Sequence, residues 1–228
     1  MTATLILVTG VGTGVGKTHL SEGLLRAAGA TRRVAGYKPI ESGVEPGQGT
    51  DQDRLDGAST FHVKHPRVEL VAPISPHLAL RREGRSLDLA PILAHVARLR
   101  ADADLVVVEL AGGAFTPLDD TRTNADLLAA FPDGRRVLVA LDRLGVLHEV
   151  IATIRALAHE PTPLPIDAIA LHAVVDSDAS TGTNADELQR LLRIPVTPFP
   201  RVTPSDFAYS AAALHMLRAL TARQGLDP

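Results

Sequence analysis

Six stretches of the chain are short and dominated by β-branched and leucine residues: Thr4–Thr9, Arg33–Lys38, Asp104–Glu109, Arg136–Leu141, Ala168–Val174 and Val196–Phe199. Runs such as Leu105-Val106-Val107-Val108 lack the alternation of a half-exposed strand, so they predict strands covered on both faces. Between them, Lys17–Ala28, Leu89–Arg100, Leu147–His159, Asn184–Leu192 and Asp206–Arg223 carry apolar residues at three- and four-residue spacing, the repeat of helices with one buried face. Strand-like and helix-like segments alternate. That order predicts βαβ units, hence a three-layer α/β/α fold around a mainly parallel central sheet. The stretch from Ile40 to Arg85 breaks the rhythm. It is rich in Gly, Pro and polar residues and reads as loops and short helices laid over the sheet. Pro161, Pro163 and Pro165 mark a surface connection, because the rhythm resumes after them, and residues 1–228 are expected to form a single domain.

Composition narrows the partners. With 45% hydrophobic and 21% charged residues the chain has the makings of a globular core. A net charge of -3, five Phe, two Tyr and no Trp supply neither a field for a polyanion nor stacking platforms, so no nucleic acid is expected. The absence of cysteine excludes disulfides, thiolate metal sites and a cysteine nucleophile, and fits a cytoplasmic protein. Leu5–Val8 is too short for a membrane span or a signal sequence, and no membrane partner is expected. The nine histidines show no metal-binding spacing and read as surface residues, His62 and His65 among them. No Gly-x-Ser-x-Gly turn points to a catalytic triad.

The candidate chemistry begins where the first strand ends. Gly10-Val11-Gly12-Thr13-Gly14-Val15-Gly16-Lys17-Thr18 is a glycine-rich turn between a strand and a helix start. Glycines let backbone N–H groups approach phosphate oxygens, and a helix N-terminus adds positive potential. Lys17 can reach the β- and γ-phosphates, and Thr18 can ligate Mg²⁺. A turn that merely packs helix on strand would leave the Lys-Thr pair and the alternating glycines unexplained. The loop is one residue longer than the usual phosphate loop, with Val11 where its first glycine would stand.

Glu109 and Lys38 are expected at the same sheet edge, and Asp51 and Asp53 offer further carboxylates. Glu109 ends an apolar strand before Ala111-Gly112-Gly113 and can hold Mg²⁺ or cap the following turn. Lys38, at the end of another strand, can neutralise a transferring phosphoryl group or be a solvated surface lysine. Asp51 and Asp53 compete on equal terms as a second carboxylate for Mg²⁺, with helix capping the other reading of Asp51.

Taken together, Thr9-Gly10-x-Gly12-Thr13-x-Val15-Gly16-Lys17-Thr18, Gly36-Tyr37-Lys38-Pro39-x-x-Ser42-Gly43, Pro73-x-Ser75-Pro76-His77 and Val108-Glu109-x-Ala111-Gly112-Gly113-x-Phe115-Thr116-Pro117-Leu118 resemble the dethiobiotin synthetases, P-loop NTPase-like enzymes. The likeness covers most of the first half of the chain in collinear order. It implies ATP-dependent carboxylation and ring closure of 7,8-diaminopelargonic acid with CO₂ or bicarbonate, Mg²⁺ as cofactor, and a homodimer with substrate across the subunit interface. It assigns Lys17, Lys38 and Ser42 to the phosphoryl and carbamate groups, Thr13 to the diamine, and Thr18, Asp51 and Glu109 to Mg²⁺. Asp51 is preferred to Asp53 because Leu55 supplies the apolar helix residue that follows the family's aspartate. The nucleotide would lie against Gly12, Thr13, Gly14, Val15, Gly16, Lys17, Thr18, Glu109, Gly112 and Pro200. The substrate carboxylate would be received by the N–H groups of Gly145, Val146 and Leu147.

The chain departs from the family at Gly14, where an acid is common, at Leu110, and at His148-Glu149. Val175 stands where the family commonly has the asparagine that recognises adenine. The alternatives are a nucleotide-switched partition-type ATPase scaffold, or a related small-molecule kinase or amide-forming ligase. A partition ATPase needs a second lysine where this chain has Gly12, and the amide-forming relatives usually add a domain with a cysteine nucleophile.

Overall fold

The computed structural model describes residues 3–221. Strands β1 (Thr4–Gly10), β2 (Val34–Tyr37), β5 (Leu105–Glu109), β6 (Arg135–Leu141), β7 (Ala168–His172) and β8 (Val196–Phe199) form one six-stranded parallel sheet. Each coincides with an apolar run of the sequence, within two residues at either end. The helices are α1 (Lys17–Gly29), α2 (Asp51–Ala58), α3 (Pro76–Arg82), α4 (Ala90–Asp102), α5 (Asn124–Ala129), α6 (Val146–Ala158), α7 (Asn184–Leu192) and α8 (Phe207–Thr221). Arg223, the predicted end of the last helix, lies outside the described residues, as do the extreme ends of the predicted single domain.

Successive residues of a strand point to opposite faces, and here both faces are covered. Leu5 and Leu7 pack with Val106, Val108 and α4 in one apolar cluster, whereas Ile6 and Val8 pack with Leu105, Val107, α1 and α8 in the other. Full burial of a valine or leucine side chain contributes roughly 1.5–3 kcal/mol, so the unbroken apolar runs are what hold the layers together. The strands lie in the order β2-β5-β1-β6-β7-β8. From β1 the chain crosses to the edge strand β2, returns to β5 beside β1, and then runs outward through β6, β7 and β8; the carboxyl ends of β1 and its neighbours border a crevice of the kind where ligands bind in open α/β sheets.

The segment Ile40–Arg85 contains more regular structure than its composition suggests. β3 (Ile40–Ser42) and β4 (Val68–Leu70) form a separate parallel pair, and α2 and α3 flank it. α2 starts at a reciprocal cap: Thr50 accepts from the Asp53 N–H, and the Asp53 carboxylate accepts from the Thr50 N–H. The strand pair is too short for periodicity to reveal.

The surface reading of the histidines fails for His65, His95 and His172. His65 Nδ1 meets His95 Nε2 at 2.7 Å, the His65 ring stacks on Tyr37, and its Nε2 lies 3.1 Å from Asp56. Burial lowers the pKa of all three, to about 4 for His95 and about 3 for His172. Their partners come from distant parts of the chain, which is why spacing gave no sign of them.

Candidate active site

The β1–α1 connection is shaped by glycine. Gly14 and Gly16 have φ of 74° and 95°, a region that side-chain-bearing residues avoid. At Gly16 a Cβ would also lie 2.9 Å from the His172 ring, so the position is closed to other residues twice over. Gly16 is the N-cap of α1 without a side-chain cap, which leaves first-turn N–H groups available to an anion. Lys17 is buried and donates to the Gly12 carbonyl at 2.9 Å. Burial lowers its pKa to about 8, against the opposing pull of Glu109.

Beside the loop stands a compact charge cluster. Glu109 is level with Val8 across the β1–β5 pairing and has no exposed surface. Its Oε1 accepts from Thr18 Oγ1 at 2.8 Å and from Lys38 Nζ at 3.0 Å, while its Oε2 is buried without a partner. Lys38, just past β2, also pairs with Asp51 at the start of α2. Burial disfavours the Lys38 ammonium, but Glu109 and Asp51 more than reverse this and raise its pKa. Burial likewise disfavours the Asp51 carboxylate, and Lys38 and Thr18 outweigh it to lower the pKa. Asp51 therefore faces the cluster, whereas Asp53 is spent on the α2 cap.

The donors fit a small hard cation. Thr18, Asp51 and Glu109 offer oxygen only, and the unpartnered Glu109 Oε2 is a free lone-pair site. Among the described residues no group of three or more His, Cys, Asp or Glu is placed to hold a metal ion by itself. That suits Mg²⁺, which takes one or two carboxylates and completes its shell with phosphate and water.

A cleft of about 760 Å³ joins these groups. It gathers Thr13, Gly14, Gly16, Lys17, Thr18, Lys38, Ser42, Asp51, Glu109 and Gly112 from the predicted set. The Ser42 hydroxyl is buried there without a partner. Gly12 contributes the carbonyl that holds Lys17, and Val15 turns into the apolar core instead of lining the cleft. Pro200 stands outside the lining, its carbonyl 3.2 Å from His19 Nε2. Gly145, Val146 and Leu147 open α6 and stand outside the lining of this chain's cleft, and the Val146 N–H is already donated to the Arg143 carbonyl. Two of the three expected amides therefore remain.

The sequence reading missed several lining residues. Glu41 accepts the Asp51 N–H at 2.7 Å and thereby fixes the start of α2. Ser75 and Thr116 lie in motifs that had been noticed without a role. Asn124 is buried and donates to the carbonyls of Ala111 and Gly113, which sets the turn after Glu109. His19 and Arg54 also line the cleft. Their signal was only position: one residue past Thr18 and one helical turn past Asp51.

Comparison with known proteins agrees with this geometry. The family model described as an AAA domain matches residues 4–198. The ATP-dependent dethiobiotin synthetase BioD of Anaeromyxobacter dehalogenans is 39% identical over 217 residues, covering 92% of this chain and 94% of that protein. The protein of the same name from Rhodopirellula baltica is 35% identical, covering 85% of this chain and 82% of the relative. Among solved structures, a ParA family ATPase from Chlorobium tepidum matches at TM-score 0.58 and 13% identity, covering 96% of this chain and 98% of that one. The Aquifex aeolicus MinC:MinD complex gives 0.56 and 12%, covering 99% and 98%. At those identities the structural matches speak for the fold alone. The sequence matches, extending over more than four fifths of each relative, go further: the chain belongs to the dethiobiotin synthetase family.

Proposed function

We propose that the protein converts 7,8-diaminopelargonic acid, CO₂ and ATP into dethiobiotin, ADP and phosphate. The observation that carries this reading is the pair of buried lysines, Lys17 and Lys38, set around Glu109 in one cleft of a chain of this family. One amine of the substrate adds to CO₂ and loses a proton, giving a carbamate. A carbamate oxygen displaces ADP from the γ-phosphorus to form a carbamic-phosphoric anhydride. The second amine then attacks the carbonyl carbon, phosphate leaves, and the ureido ring closes.

Lys17 and the α1 N-terminus hold the terminal phosphates and take up charge as it develops. Lys38 and Ser42 face the carbamate, and Thr13 the diamine. Buried and already paired, the two lysines need little reorganisation, the condition under which charge stabilisation is most effective. Thr18, Asp51 and Glu109 would hold Mg²⁺, which neutralises the phosphates when bound. The residues of the α6 N-terminus are outside the lining of their own cleft, and the adjacent Leu144 is 73% exposed. This supports a homodimer in which the amides of Gly145 and Leu147 receive the substrate carboxylate at the partner's site. No described helix is long and apolar enough to cross a membrane, and a cytoplasmic location is consistent with the substrates.

The test is phosphate release and mass-spectrometric detection of dethiobiotin, run with ATP, GTP and CTP. Release should require the diamine, bicarbonate and Mg²⁺ together. Hydrolysis without the diamine, and no dethiobiotin at saturation, would overturn the reading.

A further inference from the structure

Arg54 lines the cleft, yet the reaction above does not use it. Its Nη2 donates to Glu22 Oε2 at 2.8 Å. Glu22 lies on α1, one turn beyond Thr18, and is only 6% exposed. Arg26 holds its other oxygen, Nε to Oε1 at 3.0 Å. Burial disfavours the Glu22 carboxylate, and the two arginines more than compensate, so that its pKa falls below the usual value.

A counter-ion for Glu22 is the simplest role for Arg54, but Arg26 already fills it. Arg54 commits one of its several N–H donors to Glu22. Among the described residues its remaining donors have no protein partner, and 48% of its side chain is exposed. A guanidinium clamped along one edge and open along the other is pre-organised for a second anion.

The neighbours indicate which anion. Lys17 and the loop amides serve the terminal phosphates, and Arg54 meets α1 a full turn further from the loop. His19 also lines this part of the cleft, tied to the Pro200 carbonyl. We infer that Arg54, positioned by Glu22, binds the α-phosphate of the nucleotide and anchors the nucleotide independently of its terminal phosphates. The inference rests on the nucleotide-binding part of the proposed function.

Equilibrium binding of AMP, ADP and ATP to the wild type, Arg54→Ala, Arg54→Lys and Arg26→Ala tests it, with melting temperatures confirming that each variant is folded. Arg54→Ala should weaken all three nucleotides by a common factor of about tenfold, the scale of one charged hydrogen bond. Arg54→Lys should recover part of the loss, and Arg26→Ala should bind like the wild type. A loss confined to ATP would place the contact on a terminal phosphate and overturn the inference. An equal loss in Arg26→Ala would reduce Arg54 to a partner of Glu22, with the same result. Unchanged binding in Arg54→Ala overturns the inference alone, whereas a wild type that binds no nucleotide removes the functional reading as well. If Arg54→Ala does not fold, Arg54→Met keeps the apolar stem and carries the same expectations.

Discussion

The two ends of the cleft are built differently. At the phosphate end, Lys17, Lys38 and Glu109 are buried, and each is held by a defined partner. Towards Pro200, the side chains are open to solvent: Arg201, Thr203, Ser205, Asp206 and Phe207 are exposed, and Val175, where the family commonly has its adenine-recognising asparagine, is 72% exposed. Charges taken out of water are tolerated only in good geometry, so the first end is fixed before any ligand arrives. A valine in place of an asparagine offers no side-chain hydrogen bond to a base edge. The contrast teaches that this chain fixes its charge cluster in the folded protein, whereas at the other end it leaves side chains in solvent and lacks the family's asparagine.

The largest expected effect tests the strict end. Lys17→Ala should lower turnover by about a thousandfold or more, since removing a contact to developing charge costs several kcal/mol. Near-normal turnover in that variant would break the comparison at its firm side. Asp51 and Asp53 sharpen it further. Asp51→Asn should raise the Mg²⁺ concentration needed for half-maximal turnover by about tenfold, the loss of one charged ligand interaction. Asp53→Ala should leave the Mg²⁺ dependence unchanged and cost about 1 kcal/mol of stability in denaturant unfolding, because it removes half of a helix cap.

A smaller effect is expected from pH. The Lys17 pKa of about 8 in the free protein means that the lysine is cationic below that pH and neutral above it. Polyphosphate favours the cation, so binding above this value must take up a proton. ATP affinity should therefore fall as pH rises through 8, by at most about tenfold per unit, and titration calorimetry should show the proton uptake. A flat profile to pH 9.5 would contradict the assignment. The smallest effect belongs to the loose end: wild-type preference among ATP, GTP and CTP should lie within about tenfold, and Val175→Asn should shift it towards ATP by about threefold, one neutral hydrogen bond at an exposed site. A stringent ATP preference in the wild type would show that the base is read by groups other than the side chain of Val175.

Some features needed only the chain. Every strand of the main sheet stood out, because a strand buried on both faces must be apolar at consecutive positions. The loop at Gly10–Thr18 was equally plain, because phosphate binding and positive φ restrict residue type locally. Other features became visible only on folding. Only the family likeness, through Leu55, favours Asp51 over Asp53 in the sequence; the fold gives the physical reason by turning one carboxylate towards Lys38 and the other back on Thr50. The burial of His65 and His95 depends on a meeting of segments 30 residues apart, and the pairing of Arg54 with Glu22 joins positions 32 apart. The sequence by itself determined the layers and the phosphate loop, since backbone geometry and burial act on neighbours in the chain. Tertiary structure alone decided which charges share a site, because electrostatic pairing depends on distance in space and leaves no period in the sequence.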